Sequence, residues 1–558
     1  MASLTADTII QNGHVITLDA HSSELESIAI KGTHIIAVGT NADVADFVSG
    51  NSQIIDVEGR SIIPGIIDAH AHMEREGLKS VRPSLAGIRS IADIQGRIGK
   101  LVQNQKRGKW VITMPIGDPP HYYDELDNIA ENRMPNRWEL DAVAPDNPVC
   151  IMAAFGNWGS PPCYWALNSL ALALNGIDKD TRSAFPEVII EKDLSTGEPT
   201  GVIVEYSQRP IAPFNILKAL PPFTYEERIK GLRKSMRLYN SVGTTSIYEG
   251  HGSSPESIAL YRDLHERKEL TVRSSLNISP TWRNMTQARE QLCSGLSGAR
   301  GQSRGDDWLS INGIFIGLLG DKKLREHALN ALPDTGWSGF IEPSTNYDDF
   351  AELANLCAIN DFRLHTIVSG RMDKVISILE HVNRINHIDK RRWVIEHIDI
   401  VEPKYIAKLK MLGVCVTAIP VSTIWQRGIN TIGRSDDGNN VMPLRSLVEA
   451  NVPIAAGTDN IPYNPFYTLW AMMARKERVK GEIIGADQRL TAEQGLRALT
   501  IEGARLSFEE GNKGSIEVGK LGDIAVLSDN PMSANLETIK QIRSDLTIVG
   551  GEIVHNLL

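Results

Sequence analysis

The stretch "SIIPGIIDAHAHMEREG", residues 61–77, places His70 and His72 one residue apart at the end of an apolar run. On a strand, residues i and i+2 face the same side, so the two imidazoles point into one space. That arrangement suits a metal ion. In a chain with 14 histidines, such a pair arises by chance about one time in three, so the rest of the chain has to decide.

Before this stretch, the first 60 residues read as short strands with tight turns. "DTIIQNGHVITLD" has an Asn-Gly turn signal between two β-rich runs, and "SIAIKGTHIIAVG" repeats the design with Lys31-Gly32 in the turn. The far end is similar: "GSIEVGKLGDIAVL" and "DLTIVGGEIVHNLL" are alternating runs joined by glycine turns. Neither end has enough strands for a stable sandwich alone, so they are expected to pair as one small β domain. The expected boundaries are 1–65 and 501–558 for the two parts of that β-sandwich.

After the stretch, from 66 to 500, short apolar runs alternate with helical ones. "FRLHTIV" follows "YDDFAELANLCAIN", "RWVIEHIDI" follows "MDKVISILEHVNRI", and "VPIAAGTDN" follows "PLRSLVEAN". This alternation predicts an α/β protein with a parallel sheet, of a length that suits a (β/α)8 TIM barrel. Residues 80–230 are Pro-rich and irregular, and read as a long insertion after the first barrel strand.

At 558 residues the chain exceeds one compact core, and its 42% hydrophobic and 23% charged residues are ordinary for a globular protein. A net charge of −10 with no Lys/Arg-rich run gives no electrostatic case for nucleic acid or an anionic membrane. No apolar run is long enough to span a bilayer, and the N-terminus lacks a basic region followed by an apolar one, so the cytoplasm is the expected compartment. The five cysteines are scattered without a CxxC, which predicts neither a disulfide framework nor a zinc knuckle.

In a parallel barrel, reactive side chains sit at the C-terminal ends of strands. Four separate runs deliver metal-ligand types there, in order: His70 and His72, then His365 in "FRLHTIV", Glu396-His397 in "RWVIEHI", and Asp459 in "VPIAAGTD". Imidazole nitrogens with one carboxylate suit Zn²⁺, and Fe²⁺ or Mn²⁺ less well. Each residue has a bland alternative. His365 reads equally as a core histidine, Glu396-His397 as a surface pair, and Asp459 as a turn residue or helix N-cap.

Longer segments carry a resemblance. The chain is similar to the amidohydrolase superfamily, in its YtcJ-like, amidohydrolase family 3 branch. "GRSIIPGIIDAHAHM", "LHTIVSGRMDKVISILE", "RRWVIEHIDIVEP", "AAGTDNIPYNPFYTLWAMMARK", "LTAEQGLRALTIEGARL" and "GSIEVGKLGDIAVLSDNP" carry it over nearly the whole length. The resemblance implies a distorted (β/α)8 barrel flanked by the terminal β-sandwich, and a metal-activated water. Carried over, His70 and His72 match the first-strand ligands, His365 the fifth-strand ligand and His397 the sixth-strand histidine. Asp459 matches the eighth-strand aspartate, ligand and general base in one.

The chain also departs from that pattern. Two-metal members carry a lysine on the fourth strand; in "INGIFIGLLGDKK" Phe315 occupies that position, and Lys322 and Lys323 come later. One ion is therefore favoured, with His397 either ligating it or contacting water or substrate. A rival arrangement recruits Glu249 of "SIYEGHG", with His251 nearby. In "FGNWGSPPCYWALNS" the histidine that relatives often carry before the "NS-x-AL" element is missing, which reshapes the substrate pocket.

The reaction implied is hydrolysis of a C–N bond in an amide, carbamate, urea or cyclic imide of a small organic substrate. Asp459 serves as base, and the metal or His397 polarises the carbonyl. A one-metal deaminase, decarboxylase or C–C hydrolase on the same scaffold is the alternative, and a non-catalytic scaffold is a third reading. Trp110, Tyr122, Tyr123, Trp158, Tyr164 and Trp165 of the insertion point either to an aromatic substrate or to packing of the insertion itself. Members of such families often assemble as homodimers, but no stretch of the sequence marks an interface.

Overall fold

The computed structural model describes the chain except residues 1–4, 119–121, 123–125, 155–160, 208–210, 319–321, 324–325, 328–344 and 369–371, and the side chain of residue 297. Tyr123 and Trp158 therefore lie outside the described residues. The chain divides into two compact units. The first holds residues 1–73, 233–320 and 342–558, and the second holds 74–232 and 321–341.

The first unit opens with strands β1 (Thr8–Gln11), β2 (His14–Ile16), β3 (Glu24–Leu25), β4 (Ser27–Lys31), β5 (His34–Gly39), β6 (Gln53–Asp56) and β7 (Ser61–Pro64). Lys31-Gly32 makes the hairpin its turn signal predicts: β4 and β5 pair antiparallel, and Gly32 takes a φ of 54°. Asn12-Gly13 does something else. β1 pairs with β4 and β6, whereas β2 pairs with β3 and β7, so this turn carries the chain from one sheet to another. The close approach of Ile62 explains the glycine, because a Cβ on Gly13 would stand 2.4 Å from that side chain.

Strand β8 (Ile66–Ala71) begins the barrel. The second unit interrupts it with β9 (Val111–Thr113), β10 (Val149–Ile151), β11 (Cys163–Leu167), β12 (Val188–Lys192) and β13 (Pro199–Glu205), which form one sheet in the order β12-β13-β11-β10-β9. The stretch expected to be irregular thus holds a sheet with its own core. Four of its five strands have only three to five residues, too short for a periodic signal to show. Trp165 and Tyr122 are buried in that core, while Trp110 and Tyr164 are half-buried against it.

The first unit then resumes with β14 (Thr244–Ser253), β15 (Arg273–Ile278), β16 (Arg304–Gly305), β17 (Leu309–Phe315), β18 (Leu364–Ile367), β19 (Val394–Glu396), β20 (Cys415–Ala418) and β21 (Ile454–Ala456). Eight parallel neighbours run β8-β14-β15-β17-β18-β19-β20-β21, the nearly closed sheet of a (β/α)8 barrel. The strands are buried on both faces and so read as apolar runs rather than alternating ones. Helices between them begin at side-chain caps. Ser254 accepts the Ser257 amide at the start of helix Pro255–Glu266, and Asn346 accepts the Asp349 amide at the start of Tyr347–Ile359.

β22 (Ile524–Leu527), β23 (Ser544–Val549) and β24 (Glu552–Asn556) complete the chain. They extend the sheet β24-β23-β22-β7-β2-β3, which faces the sheet β5-β4-β1-β6. Ile10, Ile28 and Ile30 from one sheet share a core with Ile62, Val526 and Ile548 from the other. Among the described residues no helix is long and apolar enough to cross a membrane.

Candidate metal centre

The site grows out of the seam that closes the barrel. Asp68 on β8 accepts the Thr458 backbone amide (2.9 Å) and its hydroxyl (2.6 Å), and also the His70 amide (3.2 Å). The Asp459 amide donates to the His70 carbonyl at 2.8 Å. These bonds set Asp459 beside the H-x-H pair although 387 positions of chain separate it from His72. Burial pushes the Asp68 carboxyl up to about 7 against the opposing Thr458 hydrogen bonds. Two glycines give His70 its space: a Cβ on Gly250 would stand 2.2 Å from its ring, and one on Gly457 would stand 2.4 Å from its backbone nitrogen.

Four strand ends supply the donors. His70 lies on β8 and His72 directly follows it, both buried. His251 comes from the end of β14, which continues through "EGHG" rather than stopping in a loop. His397 follows β19 and Asp459 follows β21. His397 Nε2 lies 2.9 Å from His70 Nε2 and 3.0 Å from His251 Nε2. His72 Nε2 lies 3.2 Å from Asp459 Oδ1, and Asp459 Oδ2 is 3.7 Å from His397 Nε2. Two donor groups result, His70–His72–His251 and His70–His397–Asp459, each with its ligand atoms within 4.8 Å of one another.

The backbone is strained where it presents these groups. His251, His397, Asp459 and Asn460 take φ values of 61°, 53°, 51° and 62°. The left-handed region costs a non-glycine residue on the order of 1 kcal/mol or more, and such strain gathers at functional sites. Asn460, which sequence reasoning passed over, accepts the His72 amide at 2.7 Å and donates to the Tyr239 hydroxyl at 2.9 Å.

The donor chemistry fits a divalent ion. Neutral imidazole is the form that ligates metal. Burial drives the His397 imidazole down to about 3, with the Asp459 charge opposing, so the ring is neutral at physiological pH. Zn–N bonds of about 2.0–2.1 Å in a tetrahedron set neighbouring nitrogens about 3.3 Å apart. The observed nitrogen–nitrogen separations are 2.9 and 3.0 Å and the nitrogen–oxygen ones 3.2 and 3.7 Å, each within about half an ångström of that spacing.

His365 lies elsewhere. Its Nδ1 meets the Tyr248 hydroxyl, its Nε2 lies 3.3 Å from the Asn312 carbonyl, and Glu396 Oε1 is 3.6 Å from Nδ1. The ring is fully buried and sits in neither donor group. Burial first, and then the Arg363 charge, hold it well below the ordinary histidine range. His251, weighed before only as a companion of Glu249, is in the cluster instead. The signal was available: Glu249 and His251 repeat the i, i+2 spacing of His70 and His72 on the neighbouring strand. Phe315 ends β17 fully buried, its ring 5.7 Å from that of His251, and Lys322 and Lys323 come beyond the strand.

A cavity of about 350 Å³ in the first unit is lined by Asp399, Val368, Met372, Ile400, Tyr405 and Arg434, among others. Asp399 follows His397 by two positions and accepts from Arg434 at 3.1 Å and from the Thr423 hydroxyl at 2.8 Å. The size suits a small organic molecule.

Known proteins resemble the chain over its full length. A model of the amidohydrolase family matches residues 53–555. The N-substituted formamide deformylase of Arthrobacter pascens is 26% identical, with 98% of this chain and 97% of the relative covered. The putative amidohydrolase YtcJ of Bacillus subtilis is 20% identical over 98% and 99% of the two chains. An uncharacterised metal-dependent hydrolase from Pyrococcus horikoshii shares the fold with a TM-score of 0.67 at 19% identity, covering 95% of this chain and 99% of that one. With the family matched across the barrel and most of the flanking strands, the chain belongs to the amidohydrolase family.

Proposed function

We propose that the protein hydrolyses a C–N bond of a small organic amide, carbamate, urea or cyclic imide at a one-ion centre. The carrying observation is the convergence of four imidazoles and one carboxylate, from four strand ends, at the C-terminal mouth of the barrel. His70, His72, His397 and Asp459 would hold the ion, with His251 against His397. Phe315 in place of a bridging lysine favours a single ion, and zinc matches this donor set best. When bound, a divalent ion supplies Lewis acidity and makes hydroxide accessible near neutral pH, where free water, with a pKa of about 15.7, supplies almost none.

Asp459 takes the proton of the attacking water and passes it to the leaving nitrogen, so that one water and one C–N bond become an acid and an amine. Its backbone, held to the His70 carbonyl, keeps the carboxylate aimed at that water. His397, whose Nε2 lies 3.7 Å from Asp459, would share the ion with it as a ligand. The mixed apolar and charged walls of the cavity near Asp399 suit the organic remainder of the substrate.

The test is elemental analysis of purified protein together with a screen of N-acyl, carbamate and imide compounds. The deformylase relative makes N-substituted formamides the first compounds to try. About one equivalent of zinc and release of an amine from at least one class is the expected result. Turnover that survives complete metal removal would overturn the proposal.

A further inference from the structure

Each histidine of the H-x-H pair has two ring nitrogens, and they face different chemistry. The Nε2 atoms face the donor cluster: His70 Nε2 toward His397 at 2.9 Å, and His72 Nε2 toward Asp459 at 3.2 Å. The Nδ1 atoms face carboxylates outside that cluster. His70 Nδ1 is 3.7 Å from Glu396 Oε2, and His72 Nδ1 is 3.6 Å from Glu249 Oε1. Glu396 is fully buried and Glu249 nearly so. A carboxylate buried this deeply costs free energy unless it is paired and hydrogen-bonded.

Both carboxylates are fixed by the backbone of the site itself. Glu396 Oε2 accepts the His251 amide at 3.1 Å. Glu249 Oε2 accepts the Met73 amide at 3.2 Å and the Tyr261 hydroxyl at 3.0 Å. Glu249 is also in register with Ala71, the residue between the two histidines, on the neighbouring strand. The two glutamates therefore approach the pair from two sides of the barrel, one from β14 and one from β19.

We infer that Glu249 and Glu396 are matched positioning residues: each accepts the Nδ1–H of one histidine of the pair, so that both imidazoles present Nε2 to the ion. This rests on the one-ion centre proposed above. A carboxylate behind a metal-binding imidazole fixes its tautomer and ring orientation and raises its basicity, and loss of such a partner weakens metal affinity about 10- to 100-fold. The present gaps of 3.6–3.7 Å exceed a hydrogen bond by a few tenths of an ångström, and a small rotation of either ring closes them. Glu396 extends the device inward. Its other oxygen is 3.6 Å from His365 Nδ1, so that buried histidine packs behind Glu396 and outside both donor groups.

The experiment measures zinc affinity by chelator competition on metal-stripped wild type, Glu249→Gln, Glu396→Gln and the control Glu205→Gln, a buried carboxylate of the second unit. Each site variant should bind zinc about 10- to 100-fold more weakly, yet reach the wild-type stoichiometry at saturating metal, while the control keeps wild-type affinity. The Co²⁺-loaded site variants should retain the visible spectrum of the wild type, because the ligand set is unchanged. Affinities within twofold of wild type would overturn the inference and leave the metal centre standing. A Co²⁺ spectrum shifted to a different coordination number would overturn it by making the glutamate a ligand. Failure of the wild type itself to bind metal would instead overturn the one-ion centre. ¹⁵N histidine spectra of zinc-loaded wild type test the same point without substitution: two metal-bound rings should carry Nδ1–H, and Nε2–H on either would contradict the inference.

Discussion

The barrel mouth and the insertion sheet both bury polar side chains, but they satisfy them in opposite ways. In the second unit, Glu205 accepts from the Trp165 indole at 3.0 Å and from the Ile211 and Ala212 amides. Asn168 accepts the Val149 amide and donates to the Ala144 and Asn147 carbonyls. Every one of these bonds joins a donor to an acceptor, so the network is complete within the protein. At the barrel mouth, imidazole nitrogens face each other at 2.9 and 3.0 Å, on backbone held in the left-handed region. Nitrogens so arranged can share a proton or ligate a cation. The difference separates polar burial that holds a fold together from polar burial that could hold a metal ion.

Four substitutions break or sharpen this contrast. The largest effect is expected at the mouth: Asp459→Asn should lower turnover about 10²- to 10⁴-fold, the range for loss of a general base, while circular dichroism stays unchanged. Steady-state kinetics on any substrate found would check it, and a fully active variant would remove Asp459 as the base.

In the insertion the corresponding probe acts on stability alone. Burial pushes the Glu205 carboxyl up to about 7, against hydrogen bonds that oppose the rise, from an ordinary value of 4.5. The folded state therefore holds the proton more tightly than the unfolded state. The stability this provides is complete below pH 4.5 and is lost as pH rises through 7. From pH 4 to 8 the loss should be on the order of 3 kcal/mol, and Glu205→Gln should flatten it. Urea unfolding across that range measures both, and an equal slope in the two proteins would contradict the assignment.

A smaller effect is expected from Gly250→Ala. The new Cβ would stand 2.2 Å from the His70 ring, and the ring must turn away from the donor cluster. Zinc affinity should fall about 10- to 100-fold, comparable to other losses of ligand orientation. The smallest effect belongs to Ser90→Ala. It removes the cap that accepts the Asp93 amide at the start of helix Ile91–Gln103, costs about 1 kcal/mol of stability, and leaves metal affinity untouched. Chelator competition and thermal unfolding distinguish these two variants.

Much of this arrangement was legible in the chain because its signals are local. Strand–helix alternation marked the barrel, and Lys31-Gly32 marked a hairpin that forms as read. His70 and His72 showed their common side through spacing alone. What was hidden depends on pairing between distant segments. Asn12-Gly13 carries a hairpin signal, yet the partners of β1 and β2 lie in different sheets. His251 becomes a site residue only because β14 continues along its neighbours past Glu249, a property of the sheet and not of "SIYEGHG". His365 was visible as a strand histidine, but the direction of its ring follows from Tyr248 and Asn312 on other strands. Glu396 was read only as the neighbour of His397, because its partners lie 145 and 326 positions away.

The most direct test is anomalous diffraction at the zinc absorption edge from crystals of the protein as purified. The account predicts a single peak about 2.0–2.2 Å from His70 Nε2, His72 Nε2, a His397 nitrogen and an Asp459 oxygen. An active enzyme with no anomalous peak among these residues, or with its peak on His365 instead, would contradict it.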